Sequence, residues 1–429
     1  MPAVRSDRSV RTGTPGGRRR GRLLVSALVV ALAATACSGS DGGAEAVSPT
    51  TGPAPRPSTT TTTLPPAQEL GADDDLYAAP DPLPDVPHGT LLRYQQVTPT
   101  VVDGASTYRI LYRSESLEGD PIAVSGTVLV PDAPAPDGGR PLLTIAHGTT
   151  GIADQCAPSK KPGSELLLTA NQVADGWLVA MSDYEGLGTP GRHPYLVGQS
   201  EGRSVIDAIL AAGALPGADP GDRLAIAGYS QGGHGALWAN QVAGEWAPDL
   251  DVVGTFAGAP ATEMQVILRA APAGFQFLMV AGYAAAYPQA DPSTFLTPQA
   301  EDRLDAVDEG CARDVFGAVS DLPRGEVVRP DAFDAGPCGE LADENDPGNV
   351  ATADPILVIH SDKDDVVPIT LSKFLLDRMC KVDQVVERRV LTDGAGHTAA
   401  APPAYREGLA WLADRFSDSP AEPVSSCPS

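Results

Sequence analysis

The chain has 429 residues, with 30 Lys and Arg against 55 Asp and Glu and a formal charge of −25. Apolar side chains make up 42% and charged ones 20%, which supports a large core and excludes a disordered chain or a small disulfide-held module. Without clustered Lys and Arg to neutralise phosphates, duplex nucleic acid is not an expected partner.

The N-terminal segment reads as an address. Residues 1–22 carry seven Arg and one Asp, and an apolar run, Leu23 to Ala36, ends in small residues before Cys37. A basic stretch, a short apolar stretch and a small-residue cleavage site predict a secretory signal peptide over 1–36. The apolar run is too short to cross a bilayer core of about 30 Å as a permanent helix. Cys37 stands where bacterial lipoprotein signals place the cysteine that is acylated, and Ser38-Gly39 fits behind it. Ala34 departs from the Leu usual in those signals, and Ala34-Thr35-Ala36 also suits the ordinary signal peptidase. A lipid-anchored envelope protein and a freely secreted one both stay open. Removing residues 1–36 leaves 23 basic and 54 acidic side chains, a formal charge of −31. Such a surface is soluble and repels anionic membranes, so attachment to a membrane would depend on the lipid anchor. Residues 37–75 are rich in Ser, Thr, Pro and Gly and read as a disordered or extended tether.

From about residue 89 the chain first reads as strands. Thr90–Val97 and Thr107–Tyr112 alternate, and Ile122–Val130 ends at Pro131. Shorter, nearly continuous apolar runs follow at 142–146, 177–181, 224–227, 252–256 and 356–359. Runs without polar alternation suit strands buried on both faces of a parallel sheet. Helix-like spacing falls between and after them, at 204–214, 234–243, 370–380 and 405–416. This predicts an α/β fold with a mostly parallel central sheet flanked by helices, built from 76–259 and 355–417, with a tail at 418–429. Residues 260–354 hold no clear strand and many Ala, Met, Phe and Tyr, far beyond a usual βα connection of about 2–6 residues. They are expected to form a helical cap lining an apolar pocket. Cys156, Cys311, Cys338, Cys380 and Cys427 follow Cys37 and predict one or two disulfides in an exported protein, with the pairing open. No Cys/His spacing resembles a zinc site.

Chemistry centres on Gly228-Tyr229-Ser230-Gln231-Gly232, a GxSxG. The motif is weak alone, but here it lies between a buried run and a helical pattern. That geometry exposes the Ser230 hydroxyl and aims the Gln231 N–H at a future oxyanion. A serine hydroxyl needs a base. Of the six His, His88 and His193 read as surface residues, and His234 lies in the helix after the nucleophile. His147 lies in the predicted oxyanion loop and His360 ends a strand run. His397 lies in a Gly-rich loop between the last strand (Val386–Leu391) and the last helix, and is the expected base. Asp364, in Asp-x-x-Val-Pro just past a strand, is the expected carboxylate, with Asp362 the second choice. The order Ser, Asp, His is that of α/β-hydrolases. The loop His147-Gly148-Thr149-Thr150-Gly151 is expected to supply a second oxyanion donor, the Thr149 N–H, with Thr150 close behind.

Five motifs in order then resemble the secretory lipases of the lipase-A-like branch of the α/β-hydrolases, particularly bacterial members. They are AHGTTG with CAPS at 156–159, SDYEGLGTPGRHPYLVGQSEGRSVID at 182–207, GYSQGGHGALWA at 228–239, HSDKDDVVP at 360–368 and GAGH at 394–397. The resemblance covers about residues 85–417. It implies an α/β-hydrolase fold with a helical cap between the sixth and seventh strands of an eight-strand-type sheet. It also implies carboxylic-ester hydrolysis of a lipid or other apolar ester by Ser230, Asp364 and His397, with no metal or organic cofactor. The chain departs from some members in having Thr in the oxyanion loop where they have an acidic residue. An amidase or aminopeptidase using the same triad, with Asp343 and Glu344 holding a substrate amine, is the alternative. A non-catalytic envelope lipoprotein is a third reading.

Overall fold

In the computed structural model the described residues are 66–428 apart from Arg324, Gly336 and Asp418. The expected signal peptide, Cys37 and the tether up to residue 65 lie outside the described residues.

Ten strands form one sheet: β1 (Gln68–Glu69), β2 (Leu91–Val97), β3 (Ala105–Glu115), β4 (Pro121–Pro131), β5 (Arg140–Ala146), β6 (Leu178–Ser182), β7 (Pro220–Tyr229), β8 (Asp251–Gly258), β9 (Ile356–Ser361) and β10 (Val386–Leu391). Their order is β1-β2-β3-β4-β6-β5-β7-β8-β9-β10. β2, β3, β4 and β6 pair antiparallel in succession, and β6 to β10 form a parallel block. This is the α/β-hydrolase fold.

Period-two alternation explains the layering. In β5, Leu142 and Ala146 face the helix Gly198–Ala212, packing with Val205, Ile206 and Ile209. Leu143 and Ile145 face the other side, with Tyr405, Leu409 and Leu412 of the closing helix. Both faces are therefore apolar, and the parallel strands read as continuous apolar runs for that reason. β6 and β7 flank β5, so the strand order reverses direction there. Ligands in open α/β sheets bind beyond the carboxyl ends of strands at such a switch, and the loops holding Thr149 and Ser230 leave from those ends.

Between β8 and β9 the described residues form eight helical segments, from Met264–Ala270 to Cys338–Glu344. They pack an apolar cluster around Phe277, Met279, Tyr283, Phe295 and Val315, joined by Ile152, Tyr195 and Val197 from earlier in the chain. A bridge between Leu296 and Val328 is the β-pairing described within this segment.

Four expectations are corrected. The tether was expected to run to residue 75, yet Gln68 and Glu69 pair in parallel with Arg93 and Tyr94 of β2. Leu76 packs beside them against Leu111, and a two-residue edge strand leaves no periodic signal to read. The closing helix begins at His397 instead of Tyr405. Pro402 and Pro403 lie inside it, and proline, which lacks an N–H, ordinarily marks a helix start or break. His193, expected at the surface, is fully buried. His88 is half-buried and bonded to the buried Asp207 carboxylate at 2.7 Å.

The cysteines pair as Cys156–Cys311 and Cys380–Cys427, and Cys338 is a buried free thiol. The second bridge ties the tail to the fold, where Ser426 also bonds the backbone of Val386 and Arg388 at the sheet edge.

Candidate active site

Ser230 follows the last residue of β7 and caps the helix Gln231–Trp246. Its φ of 62° is one that side-chain-bearing residues rarely adopt, so the turn must be held from outside. Ser230 N–H donates to Gly258 C=O at 2.9 Å, and its own carbonyl accepts from Ala261 and His234 N–H, each at 3.2 Å. The flanking glycines are required by space. A Cβ on Gly228 would lie 1.9 Å from the Gly232 oxygen, and one on Gly232 would lie 2.0 Å from the Ala146 oxygen. Strand, turn and helix are pressed together until only hydrogen fits.

The His397 imidazole closes on this turn. Its Nδ1–H donates to Asp364 Oδ2 at 2.6 Å, which leaves Nε2 unprotonated, facing the Ser230 hydroxyl at 2.9 Å. Asp364 is fully buried at its side chain. Burial alone would raise its pKa, but hydrogen bonds from His360 and His397 outweigh that and hold it well below the usual carboxylate range. The Val366 and Val367 amides donate to the other oxygen at 2.9 and 2.7 Å. Asp365 accepts the His397 backbone N–H at 2.9 Å, and the Tyr229 hydroxyl donates to the His397 carbonyl at 2.7 Å. The imidazole, the backbone N–H and the carbonyl of His397 are each anchored separately.

Gln231 opens its helix, so its N–H has no partner within that helix. Among the described residues the Thr149 N–H also has no protein acceptor. The Gly148 N–H is used, donating to Glu165 at 3.1 Å, and the Thr150 carbonyl accepts from Ala312 at 2.9 Å. The Thr150 hydroxyl is buried without a partner. Two clefts meet at Ser230. One is lined by Tyr195, Leu196, Val266, Ile267, Phe275 and Val367. The other is lined by Thr149, Leu168, Phe316, His397, Pro402 and Tyr405. The walls are mainly apolar, with Asp364 and Asp365 lining the first cleft and Glu165 and His397 the second.

Residues 159–423 match the family model described as "Secretory lipase". This chain belongs to the secretory lipase family. A relative named "Probable inactive lipase MT1628" from Mycobacterium tuberculosis is 27% identical over 82% of this chain and 83% of its own length. "Lipase A" of Arthroderma benhamiae is 26% identical over 80% of this chain and 79% of its own. The crystal structure of Candida antarctica lipase A in its closed state superposes with a TM-score of 0.67 at 21% identity, covering 83% of this chain and 90% of that one. At that identity the likeness speaks for the fold.

Within this secretory lipase the expected residues separate clearly. His397 contacts both Ser230 and Asp364, and Gln231 and Thr149 line the clefts that meet at Ser230. Asp362, the second choice, makes its ion pair with Lys363 at 3.9 Å instead. Asp343 and Glu344 line neither cleft. Asp343 accepts from Gln265, and Glu344 from the Tyr287 hydroxyl. Sequence reasoning assigned no part to His360 or Asp365, although both stand in the same HSDKDD segment. It also missed Glu201, because a buried Glu in a helix reads as a solvated one until its partners are known. Among the described residues no group of three or more His, Cys, Asp and Glu is arranged to hold a metal ion.

Proposed function

We propose that this chain is an exported serine hydrolase that cleaves carboxylic esters of apolar acyl groups through an acyl-enzyme. The observation that carries the reading is the continuous contact from Asp364 through His397 to Ser230, at 2.6 and 2.9 Å. His397 Nε2 takes the Ser230 proton as Oγ bonds to the ester carbonyl carbon. The carbonyl oxygen becomes an oxyanion facing the Gln231 and Thr149 amides. The imidazolium, stabilised by Asp364, then gives its proton to the departing alkoxide, and an acyl-Ser230 ester remains. Water enters, loses a proton to His397 and repeats the sequence, releasing the acid and restoring the Ser230 hydroxyl.

The apolar clefts support an acyl-bearing substrate over an amine-bearing one, since neither Asp343 nor Glu344 lines them. One relative carries "inactive" in its name; the contacts of His397 with Asp364 and Ser230 support an active reading for this chain. The leader composition supports export, and Cys37 supports a bacterial lipoprotein whose anchor holds the enzyme at the membrane through the Ser/Thr/Pro-rich tether.

The test is hydrolysis of p-nitrophenyl esters of rising acyl length by wild type and Ser230→Ala, above and below each ester's solubility limit. Wild-type turnover lost by orders of magnitude in the variant is expected. A rate jump at the limit would mark a lipase acting at interfaces. Turnover retained in the variant would overturn the assignment of Ser230.

A further inference from the structure

One buried carboxylate reaches both sides of the oxyanion site. Glu201 lies in the first turn of the helix Gly198–Ala212 and is fully inaccessible to solvent. Its Oε1 accepts from Gln231 Nε2 at 2.9 Å and from the Leu196 N–H at 3.1 Å. Its Oε2 lies 2.6 Å from His234 Nδ1. Each of these partners leads somewhere.

Gln231 carries the oxyanion amide on its own backbone, and its side-chain NH2 is fully used. One hydrogen goes to Glu201 and the other to His193 Nε2 at 3.0 Å. His193 can accept because its Nδ1–H donates to the Glu185 carbonyl at 2.9 Å. Leu196 stands at φ 57°, a left-handed conformation costly for a side-chain-bearing residue. The residue before it, Tyr195, bonds its hydroxyl to the Thr149 hydroxyl at 2.8 Å. Glu201 thus holds Gln231 directly and Thr149 through the Tyr195-Leu196 turn. His234 fixes the other oxygen and is itself held by the Asn345 carbonyl at 2.9 Å, at the end of the helical segment that covers the site.

Burying a carboxylate is costly unless every lone pair is met, and a lipase core has no need of one here for packing. We infer that Glu201 is a positioning residue that aims both oxyanion donors, the Gln231 and Thr149 amides, and so acts on the rate of the chemical step. The inference rests on the hydrolase reading above. Donors aimed at developing charge act on the transition state more than on the bound ester, so loss of their alignment should appear in kcat and spare KM.

Steady-state hydrolysis of p-nitrophenyl butyrate by Glu201→Leu, Glu201→Gln and Gln231→Met, beside wild type and Ser230→Ala, tests this. Removing one oxyanion donor outright costs about 100- to 1,000-fold in kcat. Misaiming is expected to cost roughly 10- to 100-fold in Glu201→Leu, with KM within about threefold. Glu201→Gln keeps an oxygen for Gln231 and Leu196 and offers an amide to His234, so it should recover to within about fivefold of wild type. Gln231→Met keeps the backbone amide but loses the anchor, and should fall roughly tenfold in kcat. If Glu201→Leu yields no folded protein, Gln231→Met decides alone. A kcat within threefold of wild type in the deciding variant, a loss confined to KM, or no recovery in Glu201→Gln overturns the inference. Failure of the hydrolase reading looks different: wild type without turnover, or Ser230→Ala with it.

Discussion

Asp364 and His397 are joined by a 2.6 Å bond from the imidazole Nδ1–H to the carboxylate Oδ2, and the same oxygen lies 3.3 Å from His360 Nε2. Burial would raise the Asp364 pKa, but the His360 and His397 bonds bring it well below the usual carboxylate value of 3.8. A depressed folded pKa contributes stability that is present above the unfolded value and lost as pH falls through the folded one. The carboxylate therefore stays charged across the range where His397 must work. Asp364→Asn would remove that charge and let the ring take the wrong tautomer, with an expected kcat loss of about 10⁴-fold, as for the equivalent change in a serine protease. Asp362→Asn should stay within about twofold of wild type, as that side chain does not reach the imidazole. Kinetics of both variants at neutral pH check this, and equal losses would refute the assignment of Asp364.

Asp365 acts on the same imidazole from its backbone side. It accepts the His397 N–H at 2.9 Å, and its Oδ1 would lie 2.9 Å from a Cβ on Gly396, so the two segments are in close contact. Asp365→Ala should release the first turn of the closing helix and displace the ring. A displacement of about 1 Å can cost roughly 100-fold. A loss of about 10- to 100-fold in kcat, measured beside the rate of labelling by a fluorophosphonate, is expected. An unchanged labelling rate would show that Asp365 merely caps the helix.

The strands were legible because runs such as LLTIA and ILVI are buried on both faces and carry no polar alternation. The turn at Ser230 was legible because its glycines leave no room for a Cβ. What could not be read is tertiary by nature. The two residues of β1 gain structure only from pairing with β2. His193 looked like a loop residue because Gly191 and Pro194 surround it, yet it packs parallel to the Tyr184 ring, with centroids 5.5 Å apart. Glu201 meets Gln231, His234 and Leu196 from different segments, and no spacing in one segment announces such a meeting.

His193 predicts an acid limit. Burial, the largest effect, lowers its pKa from 6.5 to about 4, opposed by Glu201 and reinforced by His147. In the folded protein its Nε2 accepts from Gln231, so protonation would set two donors against each other. The unfolded chain takes up this proton near pH 6.5 and the folded one does not until about pH 4. Stability is therefore full above 6.5 and falls as pH drops through that window, by on the order of 3 kcal/mol from this group. Thermal midpoints from pH 7 to 4 should fall less steeply in His193→Gln, which does not titrate. Parallel slopes in the two proteins would rule the His193 contribution out.

The Cys156–Cys311 bridge joins the segment after the Thr149 loop to the helical segment over the site, across 155 residues of chain. Closing a loop of that length limits the unfolded state, and the chain-entropy model puts the stabilisation at about 5 kcal/mol. Its position adds a functional consequence. Ala312 N–H donates to the Thr150 carbonyl at 2.9 Å, and a Cβ on Gly151 would lie 3.0 Å from Cys311 Cα, so the loop bearing Thr149 rests against the bridge. Cys380–Cys427 instead secures the tail at the far edge of the sheet, away from Ser230. Replacing Cys156 and Cys311 by Ser should lower the thermal midpoint by several degrees and kcat by roughly 3- to 10-fold. The same change at Cys380 and Cys427 should lower the midpoint and leave kcat within about twofold. Equal effects of the two pairs on kcat would mean that the bridge stabilises the fold without steadying the oxyanion loop.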